Sequence, residues 1–145
     1  MSKSNTFEND FLKLIFNNDD IALIGDASGL QGAASAGSLY FSLHTADPGE
    51  AGDQTTSEVA YTSYARVAVA RTTGGFTISG NAAALVADVL FPAGTGGSGT
   101  ATHWGIGASS SGAGKLLYKG AISPAIVCGS GVTPKLNAGT CVTED

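Results

Sequence analysis

The chain has 145 residues, 43% of them apolar, and a formal net charge of −5. That length suits one domain, and the apolar share is enough to build a folded core, which excludes a disordered chain. The charge excludes a nucleic-acid-binding stripe, because the seven basic residues (Lys3, Lys13, Arg66, Arg71, Lys115, Lys119 and Lys135) are scattered rather than clustered.

The N-terminus reads as the one clear helix. In "NTFENDFLKLIFNN", Asn5 is placed to cap and Glu8 follows three residues later, as a capping box requires. Phe7, Phe11, Leu14 and Ile15 then share one face, with Leu12 and Phe16 widening it. Asn17, Asn18, Asp19 and Asp20 end the helix. Such a stripe either packs on the chain's own sheet or is donated to a neighbour, so Phe7, Phe11, Leu14 and Ile15 are the candidate interface. Glu8, Asp10, Asp19 and Asp20 interrupt any leader-like apolar run, and no run approaches the ~20 residues of a membrane span. The expectation is cytoplasmic synthesis without export and no membrane partner. Ile21–Ile24 is too short to type, and 25–37 reads as a Gly/Ala loop.

From Leu39 onward the period changes to two. Leu39, Phe41 and Leu43 alternate with Tyr40, Ser42 and His44, which predicts a half-buried strand. Ala65, Val67 and Val69 repeat the pattern, Phe76 and Ile78 predict a short strand, and 85–91 predicts another, stopped by Pro92. "ATHWGIGAS" and "KLLYKG" predict a hairpin across "SSSGAG". Further strands are expected at 122–128 and 132–136, with Val142 closing the last. The reading is mainly β: an antiparallel sandwich or jelly roll of about eight strands with a short N-terminal α-helix. No helical pattern separates the strands, as a parallel α/β fold would need. A single domain over 1–145 is expected, with 1–18 as helix or arm and 39–145 as the sandwich.

Several stretches approach catalytic or metal chemistry without completing it. Asp47, Gly52 and Glu58 hold the first, sixth and twelfth places of a calcium loop, but Gly49 and Ala51 stand where two ligands belong. "GIGASSSGAGKL" lacks the first glycine and the final hydroxyl of a phosphate loop, having Ser109 and Leu116 there. His44 and His103, the only histidines, adjoin no evident nucleophile–acid set, and both read as strand residues that hold loops by hydrogen bonds. Carboxylates for glycoside hydrolysis would come from Asp47, Glu50, Asp53, Glu58 and Asp88, mostly on one Gly-rich loop too mobile for a preorganised pair. Cys128 and Cys141 lack metal-ligand spacing, and free thiols are the default with a late disulfide as the alternative. No catalytic residue, cofactor or metal is therefore expected. Trp104, with Tyr61, Tyr64 and Tyr118, is the candidate exposed aromatic contact should the protein meet carbohydrate.

Only 13% of residues are charged and 21 are glycine, so much of the surface is Ser, Thr, Ala and Gly. Such a surface loses little on desolvation and suits burial against neighbours. The stretches "LYFSLHTADPGEAGDQTTSEVAYTSYARVAVAR" and "ATHWGIGASSSGAGKLLYKGAI", with the closing "TED", resemble a family of small tailed-bacteriophage structural proteins. "SLHTADPG" and "YARVAVAR" are its most distinctive phrases. Members are tail-fibre-like, and related small sandwich proteins serve as capsid decoration or cement. The resemblance implies a non-enzymatic virion component, with capsid decoration expected first. Its partners would be the major capsid protein and its own copies in a dimer or trimer. A tail or tail-fibre component touching the host surface is the alternative.

Overall fold

The computed structural model describes residues 2–144; Asp145, the last residue of "TED", lies outside the described residues. Among the described residues the chain is mainly β and sandwich-like, with nine strands, antiparallel sheets and one short N-terminal helix. It divides into two compact units that interleave in sequence: Met1–Ser38, Ala70–Asp88 and Asn137–Asp145 form the first, Leu39–Val69 and Val89–Leu136 the second.

In the first unit, α1 (Asn5–Leu12) runs into a π-helical turn, Lys13–Asn17. The cap is Ser4 rather than Asn5: the Ser4 side chain accepts from the Phe7 amide. Asn18, at φ 62°, ends the helix in the left-handed conformation that an Asn tolerates. The Arg71 guanidinium donates to the orphan carbonyls of Leu14 and Ile15 at 2.6 Å each, supplying positive charge at the helix C-terminus. The buried line is Glu8, Leu12 and Phe16, one residue round from the expected stripe, and Phe16 meets Phe76 edge-on at 4.8 Å. The helix packs on β3 (Phe76–Ser79) and β4 (Ala82–Leu85). These form a hairpin through Gly80, which adopts φ +58°, and β9 (Cys141–Thr143) pairs with β4.

The second unit is built on a sheet of order β2–β1–β6–β7. Its strands are β1 (Ser38–His44), β2 (Val67–Ala70), β6 (Ser98–Gly107) and β7 (Leu116–Gly129). β5 (Val89–Leu90) and β8 (Lys135–Leu136) form a separate ribbon. Leu39, Phe41 and Leu43 are buried as the alternation predicts. Ser42 and His44 are buried too, because the chain after β1 folds back over their face. The predicted strand 85–91 is two strands, β4 and β5, broken where Val86, Ala87 and Asp88 are exposed. Conversely, "KLLYKG" and 122–128 form one strand. β7 is an edge strand, where Pro124 can be held without losing a ladder bond, and it bulges between Ala121 and Ile126 against β6.

Candidate functional site

Two loops converge beside β1 and β7: the acidic connection after His44 and the Gly/Ser turn after β6. Their geometry is set by buried polar side chains. His44 Nδ1 lies 2.8 Å from the Thr56 carbonyl and its Nε2 2.8 Å from Ser42 Oγ. A carbonyl only accepts, so Nδ1 carries the proton and the Ser42 hydroxyl donates to Nε2. Both side chains are fully buried, and burial holds the His44 pKa below its ordinary value. This serine–histidine pair is sealed from substrate, and it fastens the loop.

Glu58 is held the same way. Arg66 donates to both of its carboxylate oxygens at 2.7 Å and to the carbonyls of Ser109 and Gly112 at 3.0 and 2.8 Å. The Tyr64 hydroxyl donates to Glu58 at 2.8 Å, and its pKa is raised by burial. The carboxylate that suggested the twelfth calcium ligand is thus committed to Arg66 and Tyr64, and Asp47 points elsewhere, to Lys119. Among the described residues, no three metal-ligating side chains gather.

Gln54 is the residue that sequence reasoning missed. It is fully buried, accepts from the Ser109 amide at 3.0 Å, and donates to the Tyr40 carbonyl at 3.4 Å. A Cβ at either Gly107 or Gly114 would collide with it. Gly107 and Gly114 of "GIGASSSGAGKL" therefore make room for one glutamine, not for a phosphate. Their spacing around a turn is the available signal; nothing in the sequence points to a partner so far back in the chain.

Trp104 corrects an expectation: it is only 7% exposed, its indole packed beside Phe41 and over Gly120, whose missing side chain leaves the space. It is no surface platform. Tyr61 is buried as well, its hydroxyl donating to the Pro92 carbonyl at 2.8 Å and its pKa pushed up to about 12. Tyr64 lines a shallow cleft with Arg66 and Ser110, and Tyr118 lies on the strand segment that borders a second one, its side chain on the sheet face of Ile106 and opposite to that of Lys119. Lys119 Nζ lies 2.9 Å from Asp47 and 3.3 Å from Glu50. Of the candidate interface residues, Phe7 is 37% exposed while Phe11, Leu14 and Ile15 are half-buried.

A family model described as podophage GP4 fiber I protein gp80 matches residues 2–144. The chain belongs to this family. It is a small, tail-fibre-like structural protein of tailed phages, and as a podophage fiber I relative it is a virion component. No curated protein matches it significantly. Among the described residues of this fiber I family member, no helix is long and apolar enough to cross a membrane.

Proposed function

We propose that the protein is a non-enzymatic subunit of a tail fibre that contacts the host surface. The observation that carries this reading is the fiber I match over nearly the whole chain. The interior supports it. Among the described residues every buried side-chain nitrogen or oxygen has a hydrogen-bond partner, and the polar groups that resemble catalytic parts are spent on tying loops down. A rigid, weakly charged surface suits repeated contacts with copies and neighbours, in a dimer or trimer as closed symmetry favours. Phe7 and its neighbour Phe11, 6.3 Å apart and on the outer side of α1, are the contact we assign to such a partner. Capsid decoration would use the same kind of surface, but the family match favours the fibre.

Particles assembled without this chain test the choice. A fibre subunit predicts particles that lack fibres and adsorb poorly while their capsids resist heat as the parent does. Capsids that burst at lower temperature, with fibres intact, would move the protein to the shell.

A further inference from the structure

The first unit carries an ordered loop whose apolar tip its own chain does not use. Asn18 and Ala33 close this loop with two mutual hydrogen bonds at 2.8 Å: the Asn18 side-chain amide donates to the Ala33 carbonyl and its oxygen accepts from the Ala33 N–H. Inside that clasp Ile21 and Leu30 pair in both directions at 2.8 and 2.9 Å, and Asp20 Oδ1 accepts from the Gly32 amide at 2.7 Å. Asp26 Oδ1 accepts from the Ser28 and Gly29 amides at 2.8 and 3.1 Å. A Cβ at Gly29 would strike the Ile21 carbonyl, and one at Gly32 would strike Asn18. The loop is held in one shape.

Ile21 is buried, but Leu23 is 80% exposed, and Ile24 and Leu30 of the same loop are exposed with it. Leu23 also sits at φ 64°, a left-handed conformation that a leucine adopts only under strain. A single exposed leucine is ordinary. Three large apolar side chains on one ordered loop, the most exposed of them strained, are not, and nothing in the chain offsets either cost.

The charges narrow what covers this tip. The first unit has eight carboxylates against three cations and so carries the whole net charge of −5, while the second balances four against four. Asp19, Asp20 and Asp26 stand on the loop itself, and no lysine or arginine occurs between Lys13 and Arg66. An anionic lipid surface repels such a tip. A second copy is a poor receptor. Its first unit is equally acidic, and in its second unit Arg66 is buried against Glu58 while Lys119 is held by Asp47 and Glu50. What complements the tip is an apolar pocket with a cationic rim on a different protein.

We propose that the loop 18–33 docks Leu23 and Ile24 into an apolar pocket, rimmed by lysine or arginine, on another virion protein. The inference rests on the fibre reading, since a fibre subunit has to be joined to a neighbour, and it names the surface and the chemistry of that joint.

Photo-crosslinking in assembled virions tests it, with p-benzoylphenylalanine in place of Leu23 and, as the control, in place of Ser110, an exposed residue of the second unit. The expected result is an adduct to one segment of one other virion protein, with lysine or arginine beside the linked residue, and no such adduct from the control. Leu23→Gly relieves the strained backbone, so the free chain should melt above the parent. Virions should nevertheless hold about tenfold fewer copies of it, the loss of one anchoring side chain. Adducts to copies of this chain, to lipid or to a segment without basic residues would overturn the proposal. So would Leu23→Gly virions with the parent's copy number, or a Leu23→Gly chain that melts below the parent, because the side chain would then serve its own fold. An adduct to a basic segment of a capsid protein would support the docking and overturn the fibre assignment. No adduct at all would overturn the docking and leave that assignment standing.

Discussion

Arg66 grips Glu58 through a two-pronged contact, Nε to Oε1 and an outer nitrogen to Oε2, both at 2.7 Å, with the Arg66 side chain only 2% exposed. The same guanidinium reaches the carbonyls of Ser109 and Gly112, so one side chain joins β2's approach, the loop after β1 and the turn after β6. Lysine has neither the fork nor enough donors to replace it.

Removing one partner of this buried pair leaves an uncompensated charge, at a cost of about 3–5 kcal/mol. Arg66→Met or Glu58→Gln is therefore expected to lower unfolding stability by that order, measured by urea denaturation. The double variant Arg66→Met/Glu58→Met should lose less than the sum of the two single changes. Strict additivity would mean that the pair does not act as a unit.

His44 makes stability depend on pH in a defined window. Burial lowers its pKa in the fold below the usual 6.5, so the unfolded chain takes up the proton first. The stabilisation is fully present above about pH 6.5 and is lost as the pH falls from there towards the folded value, by at most about 1.4 kcal/mol per pH unit. Asp47, held low first by the Gly49 amide, and Asp53, held low first by the Thr55 hydroxyl, act at lower pH, in the carboxylate range. Thermal melts between pH 7.5 and 5 should show the loss, and His44→Gln should flatten it. A parent whose melting point is level across that interval would contradict the buried neutral imidazole.

Gly120 is the seat of Trp104. A Cβ there would overlap the indole, so Gly120→Ala should push the ring outward and destabilise the fold by about 1–3 kcal/mol. Trp104 is the one tryptophan, so its emission reports the change directly: blue in the parent, red-shifted in the variant. Unchanged emission would show that the ring is not wedged there.

The two cysteines should behave unequally. Cys128 is buried and desolvation raises its thiol pKa, whereas Cys141 is exposed, and neither is in a disulfide. A thiol reagent should titrate one equivalent quickly and the second only on unfolding, since the thiolate is the reactive form. Two fast equivalents, or none, would contradict the placement.

The parts of this fold that a sequence reveals are those where side chains alternate in hydrophobicity. Leu39, Phe41 and Leu43 announce β1 because every second residue is large and apolar. Ala82, Ala83 and Ala84 carry no such contrast, so β4 is invisible in the sequence and the hairpin at Gly80 with it. Ser42 and His44 read as an outer face because nothing local says that residues 45–58 will return to cover them. The helix is legible, but its buried line is not, since Glu8 sits on it and the π-helical turn shifts the register of Leu14, Ile15 and Phe16. The same blindness applies to the site. Nothing local marks Tyr64 as the aromatic committed to Glu58, and Trp104, the largest, is drawn inward by the space that a glycine leaves on the neighbouring strand.

Electron microscopy of the intact virion tests the central claim most directly, by finding where density matching this chain's fold lies. The account predicts copies in the fibres at the tail, repeated by symmetry, with none on the capsid lattice. Density for this fold on the capsid surface, and fibres built entirely of other chains, would contradict it.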